Sequence, residues 1–157
     1  MSMSKEKIAI ITGSTGGIGF AVANKLGTEG YTVILNGIDD EAGKKRVEEL
    51  TQKGITAEYY GFDVTKEEEV TANIVAIGKK YGRIDALINN AGGLGGRSRF
   101  EEMTTEFYRF VMALNLDSAF FASRAAIPFL KKADNASIIN YTSIAGWNAG
   151  GPGAGVY

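Results

Sequence analysis

The chain has 157 residues, enough for one ordinary domain with its own core, and 45 % of them are hydrophobic, as in globular proteins. Its 17 lysines and arginines nearly balance 18 acids without any long like-charge block, which excludes a nucleic-acid or anionic-membrane footprint. The absence of both Cys and His removes thiol nucleophiles, imidazole bases and the ligands that transition metals prefer, so no metal site is expected. Acid–base chemistry then falls to Tyr, Lys, Ser, Asp or Glu. With 21 glycines but two prolines, glycine is placed at particular turns and not in a disordered tract. The first apolar run, Ile8 to Ile11, is too short for a signal-peptide core or a membrane span, and the reading is cytoplasmic.

In chain order, apolar runs of strand length alternate with stretches of helical period. A strand is expected over residues 7–12, a helix over 17–29, a strand over 32–36, a helix over 40–53, a strand over 56–62 and a helix over 66–81. A strand over 86–89 follows, then helices over 105–113 and 116–132 and a strand over 136–141. Thr65 and Glu68 have capping-box spacing before the third helix, and Val70, Ile74, Ile77 and Tyr81 repeat along one side of it. In the fifth helix, Leu116, Phe120, Ser123, Ile127 and Leu130 trace one face, and Ala119, Ala122 and Ala126 make a small-residue face fit for close approach of another helix. The strands around Ile8, Val33 and Ala136 carry apolar runs, as strands covered on both sides do. The implied fold class is α/β, a doubly wound parallel sheet forming one domain over residues 1–157.

Directly after the first strand stands Thr12-Gly13-Ser14-Thr15-Gly16-Gly17-Ile18-Gly19, opening into a helix. Gly13 permits a tight turn, Gly17 lets backbone approach a pyrophosphate, and Gly19 lets the helix lie close to the sheet. The helix N-terminus adds amides and a positive dipole, so Gly13, Ser14, Thr15, Gly17, Ile18 and Gly19 are assigned to cofactor binding. Gly37, at the end of the second strand, occupies the place where an acid usually grips the adenosine ribose. Asp39 or Asp40 can reach round to it or cap the following helix.

The stretch Thr12 to Gly19 resembles the T-G-x-x-x-G-x-G signature of short-chain dehydrogenases/reductases, and three further motifs agree in order. Asn89-Asn90-Ala91-Gly92 is similar to the family's N-N-A-G, Asn115 matches its catalytic Asn, and Ser143 and Tyr157 match its Ser and the Tyr of Y-x-x-x-K. The resemblance implies a Rossmann fold and an NAD(P)-dependent oxidoreductase acting on a carbonyl or secondary alcohol, nearest in flavour to 3-oxoacyl-acyl-carrier-protein reductases. It implies that Tyr157 exchanges the hydroxyl proton, that Ser143 holds the substrate oxygen and that Asn115 positions a relay water. Asp63 and Val64 match the family's adenine-contacting pair, and Asn90, Ala91 and Gly92 let backbone pass beside the cofactor. NADP enzymes of this family place a cation where Gly16 and Ile38 stand, so NAD is expected in preference to NADP.

The family's lysine four residues beyond Tyr157 falls outside the sequence, and the chain is expected to be the front part of a domain of roughly 250 residues and inactive alone. The rival reading is a catalytically silent dinucleotide-binding module. An FMN or receiver-type domain is a third, and its receiver form would need acids at the carboxyl ends of the strands where this chain has Gly, Asn and Ser. The implied partners are a small-molecule substrate, carrier-bound or free, and further copies of the chain in a dimer of dimers, with neither nucleic acid nor membrane.

Overall fold

The computed structural model describes residues 6–148 and 150–157. Five strands, β1 (Lys7–Ile11), β2 (Tyr31–Gly37), β3 (Ala57–Gly61), β4 (Ala86–Asn89) and β5 (Ser137–Asn140), form one sheet in the order β3-β2-β1-β4-β5. Every pairing is parallel, with Ile10 opposite Ile34 on one side and Leu87 on the other. The strands alternate with α1 (Gly17–Thr28), α2 (Asp40–Thr51), α3 (Glu67–Tyr81), α4 (Thr105–Met112) and α5 (Ser118–Leu130). The doubly wound α/β sheet expected from the sequence is the fold.

The apolar runs in β1 and β2 have a simple cause. Successive strand side chains point to opposite faces. Ile8, Ile10 and Ile34 enter one core with Val70, Ile74, Ile77 and Ala126 from α3 and α5. Ala9, Ile11, Val33 and Leu35 enter the other with Ala23 and Leu50 from α1 and α2. Both faces are sealed, so the strands are apolar at both parities except where a buried polar side chain such as Asn36 finds hydrogen-bond partners.

Three expectations need correction. The capping box does not form: Asp63 Oδ1 accepts from both the amide and the hydroxyl of Thr65, and Glu69, not Glu68, accepts from a backbone amide, that of Asp63. An Asx turn thus outcompetes the box, since a carboxylate two residues upstream reaches the Thr65 donors first. In α5 the inward face comprises Ala122, Ala125, Ala126, Phe129 and Leu130, so Ala122 and Ala126 make the close helix contact expected of them, while Leu116, Phe120 and Ile127 are exposed. The small residues win because α5 lies close on α3, where the Phe129 ring fills the place a side chain on Gly78 would take.

The fifth helix also begins later than residue 116. A π-turn at Ala113–Asp117 joins α4 to α5, with the Ser118 amide donating five residues back to Ala113. The combined stretch Thr105–Leu130 is long and apolar enough to cross a membrane, but α5 packs on α3 and β4 as a sheet-covering helix. Finally, β5 is exposed at every residue, where coverage on both sides was expected. It is an edge strand that pairs with β4 alone. A short helix, α6 (Ala145–Asn148), and a 3-10 turn at Phe100–Glu102 complete the described chain and were not anticipated.

Candidate active site

A cleft of about 680 Å³ opens at the carboxyl ends of β1, β4 and β5, where the strand order of the sheet reverses. Such a crevice at a strand-order reversal is where open α/β sheets bind ligands. Its floor is set by backbone accounting. Gly13 holds φ +60°, and a Cβ there would lie 2.9 Å from the Ala91 Cα, so the two loops touch backbone to backbone. Any side chain at Gly19 would collide with the Gly13 carbonyl and the Asn90 amide at 2.6 Å. Asn90 Nδ2 donates to the Thr12 and Gly13 carbonyls at 2.9 Å each, bolting one loop to the other.

Above this floor stands the start of α1. Its N-cap, Gly16, is extended and offers no side-chain cap, and its first turn carries no acid among the described residues. Gly17, at φ +53°, has open space where a Cβ would be. The first-turn amides and the positive helix end therefore face the cleft without an internal partner, which suits the diphosphate of a dinucleotide. Ile18 is 62 % exposed at the same rim.

The other wall brings together Asn115, Ser143 and Tyr157, widely separated in sequence. Asn115 lies in the π-turn and clamps Gly93: its Oδ1 accepts from the Gly93 amide at 2.8 Å, and its Nδ2 donates to the Gly93 and Val111 carbonyls at 2.9 Å. A Cβ at Gly92 would meet that Oδ1 at 2.8 Å, so the small residue is required there. Ser143 follows β5, and its Oγ accepts from the Ala145 amide at 3.1 Å. That leaves the hydroxyl hydrogen free to donate. Tyr157 is half-buried, its amide held by the Ala154 carbonyl at 3.0 Å.

Several sequence-assigned residues lie outside this cleft. Ser14 is fully buried; its amide and hydroxyl donate to the Asn36 and Ile11 carbonyls, so it braces the loop from below and has no free donor. Gly37 packs on Thr15, and its carbonyl accepts from the Tyr59 hydroxyl and the Phe62 amide. Asp63 is committed to its turn with Thr65, and the Val64 side chain sits in the core. Asp39 caps α2, accepting from the Ala42 amide at 3.0 Å.

The model of the short chain dehydrogenase family matches residues 7–157. The chain belongs to the short-chain dehydrogenase family. It is 36 % identical over all 157 residues to a 3beta-hydroxysteroid dehydrogenase of Mediterraneibacter gnavus, covering 56 % of that protein. It also matches the crystal structure of NADH-dependent reductase A1-R' complexed with NAD, at 39 % identity and TM-score 0.90, over 98 % of this chain and 66 % of that one. A metagenomic short-chain oxidoreductase in complex with NADP aligns at 32 % identity and TM-score 0.83, over 89 % and 63 %. The chain thus spans about half the length of the curated relatives it matches.

In this short-chain dehydrogenase chain the site's geometry also rests on Thr12, the buried first residue of the glycine motif, and on buried Asn36 and exposed Asn140, which no motif singled out. Thr12 Oγ1 accepts from the Asn90 and Ala91 amides at 3.1 Å. Asn36, 1 % exposed, accepts from the Gly13 amide and donates to the Tyr60 and Phe62 carbonyls, fixing the glycine loop to the ends of β2 and β3. Asn140 accepts from Asn89 across the end of the sheet. A polar residue closing an apolar run was the available signal for Asn36, because burial forces such a group to find partners. Arg46 was missed for another reason: its contact with the glycine loop spans 31 residues and has no local pattern.

Proposed function

We propose that this chain is the dinucleotide-binding part of an NAD(P)-dependent oxidoreductase that interconverts a carbonyl and a secondary alcohol. The observation that carries the reading is the cleft in which the open end of α1, the Asn90–Gly92 loop, Asn115, Ser143 and Tyr157 meet. The named activities of its relatives support it. A bound nicotinamide dinucleotide supplies or accepts the hydride. The amides of Gly17 and Ile18 and the dipole of α1 would hold its diphosphate, with Gly13, Gly19 and Ala91 keeping the backbone close and Gly92 leaving room beside it.

The remaining work belongs to side chains. Ser143, its Oγ oriented by the Ala145 amide, donates its free hydrogen to the substrate oxygen, a preorganised donor where negative charge develops. Tyr157 gives a proton to that oxygen in reduction and takes it in oxidation. Asn115 holds the Gly93 backbone and thereby the wall facing the substrate. Thr15 and Gly37 sit together at the expected ribose end, where neither Gly16 nor Ile38 offers a cation, so NAD is the preferred coenzyme. The exposed Leu116, Phe120 and Ile127 on α5 support assembly with further copies.

Within the carbonyl class, 3-oxoacyl thioesters are the substrates to test first. The experiment uses the whole protein and follows the loss of NADH or NADPH absorbance with a panel of ketones and 3-oxoacyl thioesters. Turnover with any of them upholds the oxidoreductase reading, and preference for thioesters upholds the finer one. Dinucleotide binding with no turnover across the panel would instead establish a silent nucleotide-binding module.

A further inference from the structure

Arg46, on the second turn of α2, reaches back to the glycine loop. Its Nε donates to the Thr15 carbonyl at 3.0 Å, and its guanidinium lies 4.5 Å from the centre of the Phe20 ring. Nη1 donates to both carboxylate oxygens of Glu49 at 2.9 and 2.8 Å, and Nη2 has no partner among the described residues. The pair is half-sheltered, with 34 % of the arginine and 33 % of the glutamate side chain exposed. Thr15 in turn stands against the end of β2: a Cβ at Gly37 would fall 2.6 Å from its Cγ2 and 3.1 Å from its Oγ1.

This is the rim that reads the adenosine ribose in sheets of this kind. There an acid takes the two hydroxyls of NAD, and an arginine accommodates the 2′-phosphate of NADP. Gly37 supplies no acid, Asp39 is bound to its helix cap and the Asp40 carboxylate lies against Gly61, so the charged groups anchored to Thr15 are Arg46 and its carboxylate partner. We propose that the Arg46–Glu49 pair sets the choice between NADH and NADPH, an inference that rests on the dinucleotide reading above. Held by Glu49, the guanidinium braces Thr15 and presents no net charge, and an incoming 2′-phosphate meets the Glu49 carboxylate. Without Glu49, the same guanidinium has its planar fork free for the phosphate oxygens.

The test is calorimetric titration of the whole protein with NADH and with NADPH, in wild type, Glu49→Gln, the double variant Arg46→Gln/Glu49→Gln, and Glu48→Gln. Glu48 is exposed on the same helix and pairs with Gln52, so its variant changes net charge equally but elsewhere. Glu49→Gln is expected to tighten NADPH relative to NADH by about fivefold, the scale of one partly exposed charge pair. The double variant should lose that gain, and Glu48→Gln should leave the ratio where wild type has it. An unchanged ratio in Glu49→Gln, with NADH still bound, would overturn the inference and leave the dinucleotide reading intact. Failure of wild type to bind either dinucleotide would remove that reading and this inference with it.

Discussion

β1 and β5 carry similar sequences, Ile8-Ala-Ile-Ile and Ser137-Ile-Ile-Asn, yet Ile8 and Ile10 are fully buried while Ile138 and Ile139 are 38 % and 49 % exposed. β1 lies between β2 and β4 with helices against both faces, and β5 has one strand neighbour and little cover. An apolar run states what a strand prefers. Its neighbours decide whether that preference is met.

The largest effect should come from truncating each strand. Ile10→Ala is expected to cost about 3–4 kcal/mol by urea unfolding, since a sealed parallel sheet collapses poorly around a cavity, and Ile139→Ala less than about 1 kcal/mol. Losses of equal size would show that something covers β5 in solution. The strand ends extend the contrast. Asn36→Ala removes one acceptor and two donors at a buried site and should cost about 2 kcal/mol. Asn140→Ala, on the exposed strand, should cost less than half as much. A reversed order would place the stronger brace at the β5 end.

The other sheet edge gives the smallest effect. On β3, burial raises the Glu58 carboxyl, but hydrogen bonds from Lys80 at 2.5 Å and Tyr81 outweigh it and hold the group below its ordinary value of 4.5. A depressed folded value means that the stabilisation is present above about pH 4.5 and is lost as pH falls through the lowered value. Lys80→Met should therefore cost about 0.5 kcal/mol at neutral pH, and the difference from wild type should vanish in acid. A pH-independent difference would assign the effect to packing of the lysine stem instead.

What was legible follows the same division. β1 through β4 and α1 through α3 stand within a residue or two of their sequence positions, because the buried faces of most of them impose a pattern that single residues cannot hide. The π-turn escaped, since Ala113 to Asp117 reads as ordinary helix and only the bond from the Ser118 amide back to Ala113 reveals it. The small-residue face of α5 was read as the one another helix approaches and packs on α3, whereas bare β5 was misread because its apolar residues satisfy the pattern of a covered strand without the cover. In the site, the glycine loop, Asn115, Ser143 and Tyr157 were found by motif and come to one cleft. Arg46 acts through a contact 31 residues away, beyond any local pattern, and Asn36, whose partner is 23 residues away, signalled itself only as a polar residue closing an apolar run.

The central claim is that the cleft binds a nicotinamide dinucleotide and that Tyr157 moves the substrate proton. Its most direct test compares the whole protein with Tyr157→Phe, measuring NADH affinity by fluorescence titration and turnover on the best substrate of the panel. Unchanged affinity with turnover reduced by about a thousandfold or more is the expected result. Undiminished turnover in Tyr157→Phe, or no NADH binding by the unaltered protein, would contradict it.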